Sequence, residues 1–479
     1  MFIARLVCKS HSFVDLYKHI SRNSYRQFAT VVSTDRELLE RRRREMEGTL
    51  RVRKDPVVVK LDTPEFKSIF TNELYDLIDL FKKYGHEIRI AGGAVRDILM
   101  NISPKDIDFA TTATPDQMKD MFNKENIRMI NMKGEKHGTI TPRINDKENF
   151  EITTLRIDVL TDGRHAEVKF TTDWQLDANR RDLTINSMFL GFDGSVYDYF
   201  YGYDDLKMRR VVFVGDPDTR IKEDFLRILR YFRFYGRIAN SANNHDQFTL
   251  EAIKNNATGL QKISGERIWS EVRKLLVGNF AQELMLTMLK CGIGKYIGLP
   301  DPQNIEEFNR VMEASKAFKD DFLPIMFMTG LLHSPEDAMK LHERLKLSAY
   351  ERDLALFLTQ NRESARSIDD LKSYKKLCMQ PYAKREYVEE LLRYNNMPEL
   401  YKQLKEWKSP SFPINGSKLK DNGCPPGATI GVVMNQLKGI WADEDFKINE
   451  EDLLRIHLPK ILEDVKANPP QLKKQKVNK

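Results

Sequence analysis

Asp106 and Asp108 stand two apart in the stretch Ala91–Phe109, AGGAVRDILMNISPKDIDF. Side chains of a strand alternate between its faces, so a strand over 106–110 would put both carboxylates on one face. Two carboxylates so placed suit a Mg2+-dependent phosphoryl or nucleotidyl transferase. An Asp-x-Asp pair alone is a weak signal, because most such pairs are solvated turns or strand ends. Its setting strengthens it. Gly92, Gly93 and Arg96 come just before, after a strand expected over 87–90 and at the start of a helix. Backbone N–H groups at a helix N-terminus favour phosphate. A third acid often completes such a metal site. Glu151, expected on a strand, is the candidate, with a plain surface role as the alternative.

A second constellation is Asn179-Arg180-Arg181-Asp182-Leu183-Thr184-Ile185-Asn186. It reads either as a capping arrangement or as a triphosphate contact. In the second reading Arg181 reaches phosphate, which the rigid guanidinium fork suits, and Asp182 and Asn186 hold backbone or sugar.

The third lies in Glu223–Phe234, EDFLRILRYFRF. With one helix over 220–236, Asp224 and Arg227 share a face at i, i+3. The plain reading is an intrahelical ion pair. The sharper one is a protein template for a base. A carboxylate only accepts and a guanidinium only donates. Cytosine and adenine both place an exocyclic N–H beside a ring acceptor and match the pair. Uracil O4 and guanine O6 would set an acceptor against the Asp224 carboxylate. Arg230 and Arg233 continue along the same side, within reach of phosphates.

These residues need a sheet to carry the carboxylates and helices to carry the arginines, and the patterning supplies both. Residues 55–206 read as mixed α and β. A helix is expected over 64–84, where Phe66, Ile69, Phe70, Leu74, Leu77, Ile78 and Phe81 recur at helical spacing. Another starts at Gly93, and a third over 115–122 has Thr114 as cap and Pro115 at its first position. Further strands are expected over 127–132, 138–144 and 149–157. Between them Lys133–Gly138 is turn-rich and expected to move. From about 216 onward strand signals fade and helical patterns dominate. The Pro/Gly/Ser-rich stretch 410–426 reads as a linker, followed by helices over 427–441 and 449–466.

The chain has 479 residues, room for roughly three domains. A net charge of +7 leans mildly toward an anionic partner. Cys8, Cys291, Cys378 and Cys424 are far apart and fit neither a zinc spacing nor a disulfide framework, which points to a reducing compartment. No apolar run approaches a membrane span. Residues 1–33 carry Arg5, Lys9, Lys18, Arg22 and Arg26 against Asp15 alone, the composition of a mitochondrial transit peptide. Met46 is a potential start for a shorter product with a cytoplasmic or nuclear destination. The lysine-rich end, Lys473 to Lys479, reads as a disordered tail.

Taken together, GGAVRD followed by DID, RRDLTINSM (Arg180–Met188), EDFLRILR (Glu223–Arg230) and SGERIWSEV (Ser264–Val272) resemble the class II CCA-adding enzymes, the ATP(CTP):tRNA nucleotidyltransferases, and in particular their animal mitochondrial branch. The resemblance runs from about Leu61 to the helix of Trp269, and more loosely beyond. It implies an α+β fold, with a small mixed-sheet nucleotidyltransferase head followed by an all-helical neck, body and tail. These are expected over 55–206, 207–290, 291–409 and 410–479. It implies that Asp106 and Asp108 hold Mg2+, that Gly93 and Arg96 contact the nucleotide, and that Arg181, Asp224, Arg227, Arg230 and Arg233 form its pocket. It also implies a hinge over 193–215. CTP and ATP are the expected substrates and the tRNA acceptor arm the partner. His245-Asp246, in a polar insert, is not by itself a phosphohydrolase centre. A poly(A) polymerase or A-adding enzyme on the same scaffold, and a non-catalytic RNA-binding protein, stay open.

Overall fold

The computed structural model describes residues 51–130, 132–161, 166–318 and 322–467. The expected transit segment, Met46 and the lysine tail lie outside the described residues. The chain divides into two compact units, Met1–Gly259 and Leu260–Lys479. The division falls inside the stretch expected as the neck.

The first unit holds the strands. β1 (Val57–Lys60), β2 (Ile88–Ala91), β3 (Asp108–Thr111), β4 (Arg128–Ile130), β5 (Thr139–Ile144), β6 (Glu148–Asn149), β7 (Glu151–Thr154), β10 (Phe189–Leu190) and β11 (Ser195–Tyr197) make one sheet. Its order is β1-β11-β10-β2-β3-β7-β5-β4, with β6 on β5. β3 and β7 pair in parallel, and the other pairs are antiparallel. β8 (Arg156–Thr161) and β9 (Ala166–Phe170) form a separate hairpin. The core of the sheet is apolar, with Ile90, Phe109, Ile140 and Ile152 buried on it.

The helices of this unit are α1 (Pro64–Lys67), α2 (Asn72–Lys83), α3 (Gly93–Leu99), α4 (Pro115–Lys124), α5 (Trp174–Asn179), α6 (Gly202–Lys207), α7 (Pro217–Glu223), α8 (Arg227–Ile238) and α9 (Gln247–Asn256). The single helix expected over 64–84 is two. Thr71 leaves helical dihedrals and caps α2 by accepting from the Leu74 N–H at 3.1 Å. Thr114 caps α4 in a capping box with Gln117, as its sequence position suggested. The segment expected to move folds as a 3-10 helix over Met132–His137, held by the Lys119–Glu135 pair and by Arg156 donating to the His137 carbonyl. The Asp193-Gly194 end of the expected hinge is a tight hairpin turn, where a Cβ on Gly194 (φ +87°) would meet the Leu61 carbonyl oxygen at 2.2 Å.

The second unit is helical among its described residues. Helices run over 265–276, 281–290, 305–315, 324–330, 335–345, 349–365, 371–377, 385–394, 398–406 and 428–443, and one over 450–467 is interrupted by a π turn. The stretch expected as a linker is folded. Gly416–Asp421 is a short helix capped by Asn415. Ile414, Leu419 and Cys424 are buried with Val433, Leu437, Trp441 and Leu453, so burial of these apolar side chains overrides the Pro/Gly composition.

Candidate active site

The pairing registers place three residues level across adjacent strands: Ala91 faces Asp108 on β3, and Asp108 faces Glu151 on β7. Level residues on neighbouring strands project to the same face. Asp106 was expected inside this strand. The strand begins at Asp108 instead, and Asp106 reaches the same place from the bend before it. All three carboxylates line a cleft of about 910 Å³, walled also by Thr71, Lys105 and Thr141. The Asp108 side chain opens to the cleft, yet the surrounding walls desolvate it and raise its pKa. Glu151 and Asp106 push the same way, and Arg181 pulls it back down.

Gly92 links β2 to α3 with φ +66° and ψ −117°, a conformation suited to glycine. A Cβ there would stand 3.0 Å from Arg181 Nη1. A Cβ on Gly93 would meet only the Arg96 guanidinium, at 3.7 Å. Arg181 is aimed by its neighbours. It donates to Asp177 Oδ2 at 3.0 and 3.2 Å and to the Asn186 carbonyl at 3.3 Å, and lies over the Phe189 ring at 4.9 Å. Arg180 donates to the other Asp177 oxygen at 2.8 Å. Burial works to raise the Asp177 carboxyl, but the two arginines override it and its pKa is lowered. Sequence reasoning passed over Asp177. The available signal was its spacing, three before Arg180 and four before Arg181.

Arg96 was expected to touch the nucleotide. Its guanidinium is buried behind Gly93, donating to Asn186 Oδ1 at 2.5 Å and to Asp97 at 2.9 and 3.1 Å. Burial lowers its pKa, against the pull of Asp97. Asp182 is also buried, and accepts from Arg230 Nε at 2.5 Å, from the Leu183 N–H at 2.9 Å and from Asn186 Nδ2 at 3.3 Å. Burial alone would raise this carboxyl; Arg230 and the other donors lower it. The Phe234 ring lies beneath three guanidiniums, those of Arg233 at 4.3 Å, Arg96 at 4.9 Å and Arg230 at 5.4 Å.

The helix expected over 220–236 is broken. α7 ends at Glu223, and Asp224 is extended at φ −150°, ψ 107°. The Asp224 side chain accepts from the Leu226 N–H at 3.0 Å, a local turn that restarts the chain as α8 at Arg227. Asp224 and Arg227 are therefore not i, i+3 on one helical face. Arg227 donates to Glu223 Oε2 at 2.5 Å and to the carbonyls of Arg220 and Arg180 at 3.1 and 2.9 Å. His245 stacks on Tyr235 at 3.8 Å and bonds the Tyr231 hydroxyl at 3.0 Å, while Asp246 caps α9.

Among the described residues no three His, Cys, Asp or Glu side chains close into a metal cage of their own. Mg2+ does not need one. It keeps several waters and binds through one or two carboxylates plus substrate phosphates. Asp106 and Asp108 fit that role: desolvation by the cleft walls and the nearby Glu151 and Asp106 carboxylates raise the Asp108 pKa, and a divalent cation relieves that strain on the charged form.

Residues 88–212 match the family model for the poly A polymerase head domain, and 246–302 match that for the probable RNA and SrmB-binding site of polymerase A. The mouse (Mus musculus) protein named CCA tRNA nucleotidyltransferase 1, mitochondrial, is 50% identical over 403 residues, covering 83% of this chain and 92% of that one. The human (Homo sapiens) protein of the same name is 51% identical with the same coverage. In fold the chain is similar to the crystal structure of the Bacillus stearothermophilus CCA-adding enzyme in complex with CTP, with a TM-score of 0.65, 21% identity, and coverage of 85% of this chain and 98% of that one. No helix among the described residues is long and apolar enough to cross a membrane. A nucleotidyltransferase head whose carboxylates, glycine turn and arginines meet at one end of the sheet, continued by helices and matched over most of its length at half identity, makes this chain a member of the CCA tRNA nucleotidyltransferase family.

Proposed function

We propose that the chain adds C, C and A to the 3′ end of tRNA, using CTP and ATP and no nucleic-acid template. The observation that carries this is that Asp106, Asp108 and Glu151 line one cleft, with Arg181 close enough to lower the Asp108 pKa and standing where a side chain on Gly92 would be. Relatives named for this activity, and neighbour structures titled with CTP, ATP and tRNA, support it.

In this reading Asp106 and Asp108 hold Mg2+, which when bound lowers the pKa of the attacking 3′-hydroxyl and stabilises the leaving oxygen. Glu151, level with Asp108, is the third carboxylate. Arg181 meets the triphosphate, and Gly92 and Gly93 let the phosphates approach the backbone beside it. Arg96 and Asp182 act behind this surface by fixing Asn186 and Arg230. Asp224 and Arg227 select the base. A guanidinium has five N–H donors. Glu223, Arg220 and Arg180 take three of those of Arg227, leaving Nε–H and one Nη2–H for a base edge. Cytosine offers two adjacent acceptors, N3 and O2. Arg230 and Arg233 lie along the same helix, toward phosphate.

The tRNA acceptor arm lies along the helical part of the chain through Lys and Arg contacts to phosphate, which position without reading sequence. The segment 1–33 and the mitochondrial names of the relatives support delivery to mitochondria, and a product starting at Met46 would stay outside. A poly(A) polymerase is the second reading, favoured by the head-domain match alone.

The test is Asp106→Ala and Asp108→Ala, assayed on a tRNA lacking its CCA. Both variants should lose addition of C and of A while still retaining tRNA in a gel-shift. A variant that still adds C contradicts the metal assignment.

A further inference from the structure

We propose that the Asp97–Arg237 ion pair is a positioning device that sets the tilt of α8, and through it the stringency of base selection. This rests on the reading of α8 and its Arg227 as the base-selecting element.

The helix is pinned to the sheet portion of its unit at both ends. At the first end Arg227 donates to the Arg180 carbonyl at 2.9 Å, and one turn on Arg230 bonds Asp182 at 2.5 Å. At the other end Arg237 Nη2 bonds Asp97 Oδ2 at 2.8 Å, across 140 positions of sequence. At about 1.5 Å per residue the two ends stand roughly 15 Å apart. α8 also buries one face, including Ile228, Leu229, Phe232 and Phe234, so the polar contacts at its two ends trim its angle and do not hold it alone. Asp97 sits on α3, the helix that Gly93 begins, so the second pin ties the base-selecting helix to the glycine turn.

The two pins differ in degree. The Arg230 side chain on Asp182 is 31% exposed, and the Arg237 side chain on Asp97 is 47% exposed. The more exposed of two ion pairs is the weaker and the more screened by salt, so the Arg237 end yields first. The carboxylate it uses is already committed, because Asp97 also accepts both Arg96 bonds. The two guanidiniums face each other across it, and Arg237 adds to the burial that lowers the Arg96 pKa. Arg96 lies against Phe234 of α8, so a change at Arg237 is felt by the ring that also carries Arg230 and Arg233. Removing Asp97 would strand a buried arginine and threaten the fold. Removing Arg237 leaves the Arg96–Asp97 pair intact, which makes Arg237 the residue to change.

The experiment uses the full chain with saturating tRNA lacking its CCA, and reads KM and kcat for CTP and for UTP, with melting temperature alongside. Arg237→Met should keep the wild-type melting temperature to within a few degrees and shift discrimination of CTP over UTP by about five- to tenfold toward UTP, mainly through KM for CTP. Arg237→Lys should restore most of it. In the wild-type chain added salt should erode the same ratio, and it should not do so in Arg237→Met. Arg227→Met is run beside them. If Arg227→Met loses discrimination and Arg237→Met keeps it, the pin is wrong. If Arg227→Met keeps discrimination, the base-selecting reading of α8 is what fails. Should Arg237→Met not fold, a wild-type ratio that does not move with salt overturns the proposal.

Discussion

Arg227 donates to the carboxylate of Glu223, four residues before it, and not to Asp224. The guanidinium proposed to read the base is thus aimed by an acid other than its proposed template partner. Glu223→Gln should lower kcat/KM for CTP and for ATP by about tenfold, the size of one charge-assisted hydrogen bond. Steady-state kinetics with each nucleotide check this. Unchanged values would mean that the two carbonyls suffice to hold Arg227.

Arg180 and Arg181 share the carboxylate of Asp177, which is 1% exposed. Asp177→Ala would leave two guanidiniums without their buried partner. The expected cost is about 3–5 kcal/mol of stability, read by urea denaturation. Asp177→Asn keeps the shape, so it should lose less stability while still raising KM for both nucleotides.

Gly92→Ala combines a backbone strain of about 1–3 kcal/mol with a methyl placed 3.0 Å from Arg181 Nη1. Nucleotide KM should rise for CTP and ATP alike, since both share the triphosphate. Gly93→Ala meets only ordinary contact with Arg96. It should lose far less stability, which makes the pair a control for backbone strain.

In the second unit Glu307 is buried among Arg310, Arg366 and Arg362. Burial works to raise its carboxyl, and the Arg310 bonds and the neighbouring charges override it, holding the pKa at about 2. A depressed carboxylate pKa gives stability that is complete above the unfolded-state value near 4.5. That stability is lost as pH falls toward 2. Unfolding followed by circular dichroism should show a steep loss over that window. Glu307→Gln should flatten it, and be less stable than the wild type at neutral pH.

Long, strongly patterned elements are legible in the sequence: the α4 cap at Thr114, the strands beside Gly92 and Asp108, and most helices of the second unit. Their side chains repeat at the period of the element that carries them. The short strands β10 and β11 are not, because two or three residues such as Phe189–Leu190, buried on both faces, have no period to read. The break at Asp224 was hidden too. Its cause is one side chain capping the Leu226 amide, whereas the apolar stripe runs through unbroken. The candidate-site residue types were visible as motifs, but not which lie at the surface. Nothing in GGAVRD distinguishes the buried Arg96 from the partly open Arg181; packing against Phe234 and Asn186 does.

The most direct measurement is product length at single-nucleotide resolution, from a tRNA truncated just before its CCA and incubated with CTP, with ATP, or with both. The account predicts two added residues with CTP alone, no efficient extension with ATP alone, and three with both, after which growth stops. A long A tail, or efficient A addition without prior C, contradicts it.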